Sequence, residues 1–185
     1  SSRMIMRLAN PFSGLEHVVR EHHPLAPHTW YRIGGPARYF VTPTNVEELQ
    51  EAARRCADNG IPIYVLGLGA NLLVSDDGVD GAVFHLSADA FRTVTLTGTT
   101  VHAGAGVDLQ RLLVQTCRAG LSGMETLAGI PGTLGGGIRM NAGGKFGDIG
   151  AVVTKVTVMD SEGTVFERYK DDLVFEYRST NIAAK

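Results

Sequence analysis

The sequence has little cysteine. Its 185 residues include two, Cys56 and Cys117, and these form neither a Cys-x-x-Cys pair nor a metal-binding spacing with histidine. A disulfide-stabilised secreted domain and a metal site are therefore not expected, whereas two reduced thiols in a cytoplasmic protein are. No apolar run reaches the length that a membrane-spanning helix needs.

An excess of one charge is also absent. The 17 Lys and Arg residues nearly balance the 19 Asp and Glu residues, and the formal net charge is -2. A nucleic-acid groove or a polybasic membrane patch would need a positive excess, so neither partner is expected. Hydrophobic residues make up 44% of the chain and charged residues 19%, which is typical of a globular protein.

Periodicity divides the chain near residue 88 into a βαβ lobe, residues 1–87, and an α+β lobe, residues 88–185. In the first lobe we expect a strand at 38–42, a helix with a Thr44-x-x-Glu47 capping box, and a strand at 63–66 that is buried on both faces. Before them, Leu15, Val18 and Val19 could line a short helix, and His22 and His23 a solvated turn.

The second lobe is predicted to hold two hairpins and one amphipathic helix. The hairpins join residues 93–97 to 101–103 and 152–159 to 164–168. The helix covers 108–119, with Leu109, Leu112, Leu113 and Cys117 on its apolar face.

A first glycine cluster, Gly67-Leu-Gly-Ala-Asn-Leu72, follows the predicted buried strand. It is not a Rossmann fingerprint, because its sixth position is Leu72 and a strand-like segment follows it. Successive backbone N–H groups in such a turn could still bind a pyrophosphate, with Gly67 and Gly69 admitting the ligand and Asn71 adding an amide. A tight turn without a ligand explains the cluster equally well.

A second cluster, from Ala128 to Gly143, is dense in glycine yet carries Ile130, Leu134, Ile138 and Met140. Such a segment suits contact with a flat hydrophobic ring system. The alternative is close packing of a helix against its neighbours through small residues.

Four motifs then occur in the order of one family. They are Thr29-Trp-Tyr-Arg-Ile-Gly-Gly35, Val65-Leu-Gly-Leu-Gly-Ala-Asn-Leu-Leu-Val74, Gly120-Leu-Ser-Gly-Met-Glu-Thr-Leu-Ala-Gly-Ile-Pro-Gly-Thr-Leu-Gly135 continuing to Gly143, and Tyr177-Arg178 followed by Ser and Thr. Together they resemble the UDP-N-acetylenolpyruvoylglucosamine reductase family, also called UDP-N-acetylmuramate dehydrogenase.

The resemblance implies an α+β, two-lobed FAD-binding fold of the vanillyl-alcohol-oxidase type. FAD would be bound non-covalently between the lobes, NADPH would donate hydride, and UDP-N-acetylglucosamine enolpyruvate would be the substrate, without a metal. The implied cofactor-binding residues are Gly67, Leu68, Gly69, Ala70, Asn71 and Leu72 for the pyrophosphate, and Ala128, Gly129, Ile130, Pro131, Gly132, Gly136 and Asn141 for the ring.

The same resemblance assigns Tyr177 and Arg178 to the substrate and makes Arg178 catalytic, since a permanently charged guanidinium can stabilise charge on the substrate carboxylate. The family's proton-donating serine and its partner glutamate lie downstream, in or beside a third domain that these 185 residues are expected to lack. Ala70 stands where the family usually has serine, which removes one hydroxyl from the phosphate loop.

Two other functions stay open. The chain could be a non-catalytic flavin-binding module, which would not need Arg178 beside the ring. It could also be an FAD-linked oxidase of the same fold superfamily, whose flavin is often tethered to His or Cys.

Overall fold

The computed structural model describes residues 10–69, 74–144, 147–176 and 179–180. The helices are α1 Val46–Asp58, α2 Leu109–Arg118 and α3 Leu134–Arg139. The strands are β1 Val19–Pro24, β2 Pro36–Val41, β3 Ile63–Leu66, β4 Val79–His85, β5 Val94–Thr97, β6 Thr100–Ala103, β7 Gly143–Gly144, β8 Gly147–Asp148, β9 Lys155–Met159, β10 Val165–Tyr169, β11 Phe175–Glu176 and β12 Ser179–Thr180.

A four-stranded sheet in the order β1-β2-β4-β3 organises the first half of the chain. Strand β1 pairs with β2 antiparallel, whereas β2 and β3 both run parallel to β4. Helix α1 makes the crossover between β2 and β3, which parallel strands require. The predicted strand–helix–strand unit is confirmed.

Helix α1 starts one residue later than its predicted capping box. Asn45 is the N-cap and accepts a hydrogen bond from Glu48 N at 2.8 Å, while the Glu48 carboxylate accepts one from Thr44 N at 3.0 Å. The predicted Thr44–Glu47 box is therefore wrong. Asn45 caps the helix, and the Glu48 carboxylate binds Thr44, the residue before the cap, so the two bonds do not form a reciprocal pair.

The short helix predicted around Leu15 is wrong. Leu15 and Val18 are buried, but they belong to turns that pack beside Phe12 in the core, and Val19 opens β1. His22 and His23 likewise lie in β1, and not in a turn. Antiparallel pairing with β2 decides the conformation of this segment, whose local pattern is weak.

Strand β3 is not buried on both faces as predicted. Tyr64 is 51% exposed and Val65 is 73% exposed. Both side chains line a large cavity between the sheet and the second half of the chain. The apolar run at 63–66 therefore predicted the strand correctly, but the predicted burial of both its faces is wrong.

In the part of the chain that the structure describes, three buried clusters form the core. Two lie on the four-stranded sheet, one with α1 and one around Leu25 and Phe40. The third, Leu109, Leu127 and Ile149, comes from residues after 88. The two halves meet where the turn between β9 and β10 contacts α1, because Gln50 Nε2 donates to Gly163 O at 3.0 Å. The lobe boundary at residue 88 stays a prediction.

Helix α2 is capped by Asp108, whose carboxylate accepts from Gln110 N at 2.8 Å. It buries Leu109, Leu112 and Leu113 as predicted, but Thr116 takes the fourth buried place and Cys117 is exposed. Cys56 is fully buried in α1, and burial raises the pKa of its thiol to about 12. Neither thiol is paired with another.

The predicted hairpins are confirmed as β5–β6 and β9–β10. Among the described residues, no helix is long and apolar enough to cross a membrane.

Candidate functional site

The first glycine loop begins where β3 ends and is held from two directions. A Cβ on Gly67 would lie 3.1 Å from Thr133 Oγ1, so this loop touches the second glycine segment. Gly69 has φ of +72°, and a Cβ there would lie 2.1 Å from His28 O. The close approach and the positive φ together restrict position 69 to glycine.

The Thr29–Gly35 motif contacts the chain at Gly69 and at Ser75. Trp30 N donates to Gly69 O at 3.2 Å, and Gly35 N donates to Ser75 O at 2.8 Å. Thr29 is 3% exposed, and its hydroxyl donates to Ala26 O at 3.1 Å and accepts from Ile33 N at 3.3 Å. These hydrogen bonds hold the motif in one turn conformation and attach it to Gly69 of the first loop.

The second glycine segment is pinned along its centre to the chain just before and at the start of α2. Leu109 N donates to Gly132 O at 3.0 Å, Leu134 N to Val107 O at 2.8 Å, and Gly135 N to Ala105 O at 2.9 Å. Residues 105–109, from the Gly104-Ala-Gly106 loop to the first residue of α2, therefore hold the centre of this segment.

One stretch of the segment keeps an open backbone face. Gly129 has φ of +80° and Gly132 has φ of +133°, and a Cβ at either position would meet nothing within 4 Å. Ala128 and Gly129 are exposed. A flat ligand could therefore approach this backbone closely.

Sequence reasoning missed Gln110, which is a central contact of this region. Its side chain bonds the backbone of Leu127, Gly129 and Ile130. Its position on α2, one residue from the predicted apolar face, was the available signal, but no pattern pointed to its partners.

Asn141 is placed differently from a side chain that faces a ligand. It is 6% exposed with φ of +47°. Its Nδ2 donates to Asp148 Oδ2 at 3.0 Å, and its Oδ1 accepts from Gly150 N at 3.2 Å. The side chain thus fastens the end of α3 to β8 and the turn after it, and its role toward a cofactor stays a prediction.

The described residues of the two predicted clusters are thus brought together at Gly67 and Thr133. Leu68 is partly exposed beside them, Ile130, Pro131 and Gly132 lie along the second segment, and Gly136 N donates to Thr133 Oγ1 at 3.2 Å. The remaining predicted site residues, Ala70, Asn71, Leu72, Tyr177 and Arg178, lie outside the described residues.

The family described as FAD binding domain matches residues 37–168. The chain belongs to this family of FAD-binding domains. Its α+β fold is shared with a solvent-stable cholesterol oxidase, which superposes with a TM-score of 0.66 at 18% identity, over 84% of this chain and 33% of that one. The predicted vanillyl-alcohol-oxidase-type fold is confirmed.

Two proteins with higher sequence identity to this chain are named as UDP-N-acetylenolpyruvoylglucosamine reductases. The UDP-N-acetylenolpyruvoylglucosamine reductase 2 of Symbiobacterium thermophilum is 41% identical over 164 residues, which cover 89% of this chain and 53% of that protein. The crystal structure of the UDP-N-acetylenolpyruvylglucosamine reductase of Thermus caldophilus has a TM-score of 0.76 at 38% identity, covering 89% of this chain and 57% of that one. The chain therefore spans about half the length of these relatives.

A large cavity adjoins the predicted site of this FAD-binding domain, but the predicted ring-binding residues Ala128–Gly132 do not line it. A cavity of about 1260 Å³ lies between the sheet and the second half of the chain, larger than the ~300–1,000 Å³ of most small-molecule sites. Leu66 and Val74 border it from the two sides of the first loop, and Leu134 and Gly135 border it from the second segment. No group of three metal-binding side chains is found within the described ranges.

Three histidines lie behind the first loop. His23 Nε2 and His28 Nε2 are 2.9 Å apart, and both rings stack on Phe40 with centroid distances of 4.4 and 4.8 Å. His85 meets the His28 ring edge-on at 5.5 Å. Burial lowers the pKa of all three. His28 adds to the effect on the pKa of His23 and His85, Arg20 to that on His23 and His28, and Arg92 to that on His85.

Proposed function

We propose that this chain supplies the FAD-binding part of an NADPH-dependent reductase that converts UDP-N-acetylglucosamine enolpyruvate to UDP-N-acetylmuramate. The observation that carries the proposal is the convergence of three motifs: Gly67 contacts Thr133, and Gly69 contacts the Thr29 turn. The similarity to proteins named UDP-N-acetylenolpyruvoylglucosamine reductase, over about 90% of this chain, supports it.

When bound, non-covalent FAD would carry hydride from NADPH to the enolpyruvyl group. The chain's own contribution is binding and orientation. In this proposal the backbone of Gly67–Leu72 holds the pyrophosphate, and Ala128–Gly132 with Gly136 and Asn141 borders the ring. The open faces of Gly129 and Gly132 support the second assignment.

Arg178 and Tyr177 are proposed to contact the substrate, with Arg178 stabilising charge on its carboxylate. Arginine suits this task because it is always charged and its planar fork matches a carboxylate. In a form of the protein that turns over the UDP-sugar, Arg178→Ala should lower kcat by ~10²–10³, as loss of one such donor commonly does. Unchanged turnover would remove Arg178 from the mechanism.

The wider setting belongs to the same proposal. Peptidoglycan synthesis in the cytoplasm would connect the enzyme to cell shape and cell division. No metal, nucleic acid or membrane takes part in it.

The first test is the visible spectrum of the purified chain with added FAD, before and after heat denaturation. We expect a protein-bound flavin band that leaves with the supernatant, because the proposed contacts are non-covalent. Flavin that stays attached to the denatured protein would instead favour a tethered oxidase. A chain that never takes up FAD would contradict the proposal.

A further inference from the structure

Gln110 lies in the first turn of α2, and its side chain serves one short stretch of backbone. Its Nε2 donates to Leu127 O at 2.9 Å and to Ile130 O at 2.7 Å. Its Oε1 accepts from Gly129 N at 3.0 Å. Both donors of the amide and its acceptor are thereby used.

That stretch has two turn bonds of its own, from Ala128 N to Glu125 O and from Ile130 N to Leu127 O, each 3.1 Å, and the N–H of Gly129 is held by Gln110. After the turn Glu125–Leu127 it passes through Gly129, which has φ of +80° and no neighbour within 4 Å of a Cβ. Glycine loses more backbone freedom on ordering than any other residue, so this backbone would sample several shapes if left alone. A side chain anchored elsewhere can hold one of them.

Gln110 is well placed to be that anchor because its own backbone is fixed. Gln110 N donates to the Asp108 carboxylate at 2.8 Å, and Leu109 N donates to Gly132 O at 3.0 Å. The start of α2 therefore holds the segment at Gly132 through backbone and at 127–130 through the Gln110 side chain. Gly129 is held by its N–H, while the side on which a Cβ would stand has nothing within 4 Å.

We propose that Gln110 is the positioning residue for the flavin ring: it holds the backbone of 127–130 in the one shape that lies flat against the ring. This inference rests on the proposed function, which places the ring at Ala128–Gly132. Gln110 acts through the backbone that it holds and is not proposed to contact the ring. Its loss should change both how tightly FAD binds and the environment that the bound ring experiences.

The test compares Gln110→Leu and Gln110→Glu with the natural chain and with Gln115→Glu. Gln110→Leu removes all three hydrogen bonds, whereas Gln110→Glu keeps the acceptor for Gly129 N but loses both donors. Gln115 is exposed on the same helix, so Gln115→Glu makes the same charge change away from the segment. Circular dichroism melts establish that each variant is folded.

FAD titration and the spectrum at saturating FAD are the readouts. We expect both Gln110 variants to raise the Kd for FAD by ~10-fold or more, since each lost partner leaves a backbone group unsatisfied. The vibronic structure of the bound flavin band should weaken and its fluorescence rise toward that of free FAD. Gln115→Glu should match the natural chain in both readouts.

The possible results separate the two proposals. If the natural chain binds FAD and either folded Gln110 variant binds it with the same Kd and the same spectrum, the positioning role is wrong and the proposed function survives. If the natural chain takes up no FAD, the proposed function fails and this inference fails with it. A larger Kd with an altered spectrum in the Gln110 variants alone supports both.

Discussion

The two glycine-rich regions use the same residue for different physical reasons. In the first loop, glycine is required by crowding, because a Cβ on Gly69 would lie 2.1 Å from His28 O. In the second segment, Gly129 and Gly132 have positive φ but nothing within 4 Å of a Cβ. The first loop is closed around its glycines by protein, whereas the second segment is open at Gly129 and Gly132 but crowded at Gly135, Gly137 and Gly143. The open stretch is where close approach of a ligand costs no rearrangement.

The largest effect should come from Gly69→Ala. The new methyl must displace the His28 carbonyl while the residue keeps an unfavourable φ, so we expect a loss of roughly 3 kcal/mol or more in the free energy of unfolding. Gly60→Ala is the matched control, with φ of +64° and open space around it. It should cost only about 1–2 kcal/mol. Equal losses in urea denaturation would show that crowding does not govern the first loop.

Gly129→Ala should separate stability from cofactor binding. Its φ cost alone predicts a loss of about 1–2 kcal/mol in unfolding free energy. Gly120→Ala, with φ of +75° and equally open space, should cost the same. Only Gly129→Ala should weaken FAD binding in a titration, because its methyl stands on the proposed ring-facing backbone. Equal FAD affinity in the two variants would move the ring elsewhere.

A double-mutant cycle at Gly67 and Thr133 tests whether the two regions touch. Gly67→Ala crowds the Thr133 hydroxyl, and Thr133→Ala removes the N-cap of α3 for a loss of about 1 kcal/mol. In the double variant the crowding is absent, so a favourable coupling of roughly 0.5–1 kcal/mol in unfolding free energy is expected. Additive losses would mean that the regions are independent.

The smallest effect should be a pH dependence from the three histidines. Their folded pKa values are lowered by burial, so the unfolded state binds more protons just below the ordinary histidine pKa of ~6.5. Stability should be full above that value and fall as pH drops through the folded pKa values.

Chemical denaturation between about pH 7 and pH 5 measures this slope, which spans the ordinary histidine pKa. His28→Gln should reduce the slope of unfolding free energy against pH, because the variant has one fewer histidine that binds a proton more readily in the unfolded state. His102→Gln, an exposed position on β6, should leave it unchanged. A slope that persists in His28→Gln would assign the effect to other groups.

Local pattern predicted the elements better than it predicted their surroundings. The helix predicted after Thr44 is present as α1, and the four motifs located the family. The apolar run at 63–66 gave a strand but a wrong burial, because the exposure of Val65 depends on a cavity formed with residues far along the chain.

The contacts that assemble the site are long-range, and no local pattern encodes them. Gly67 meets Thr133, and Gln110 reaches backbone 17 and 20 residues away. The strand Val19–Pro24 is similar: its conformation follows from pairing with β2, so its weak sequence pattern suggested a helix and a turn. The family resemblance identified the motifs, but it did not indicate that the Gln110 side chain holds the backbone of the second segment.

Trp30 is the single tryptophan of the chain; it is 60% exposed, and its backbone N–H donates to Gly69 O. All tryptophan emission therefore originates at the edge of the first loop. The protein carries its own optical probe there, so binding at that loop can be followed by intrinsic fluorescence without a label, and with a fragment such as ADP that has no visible absorption of its own.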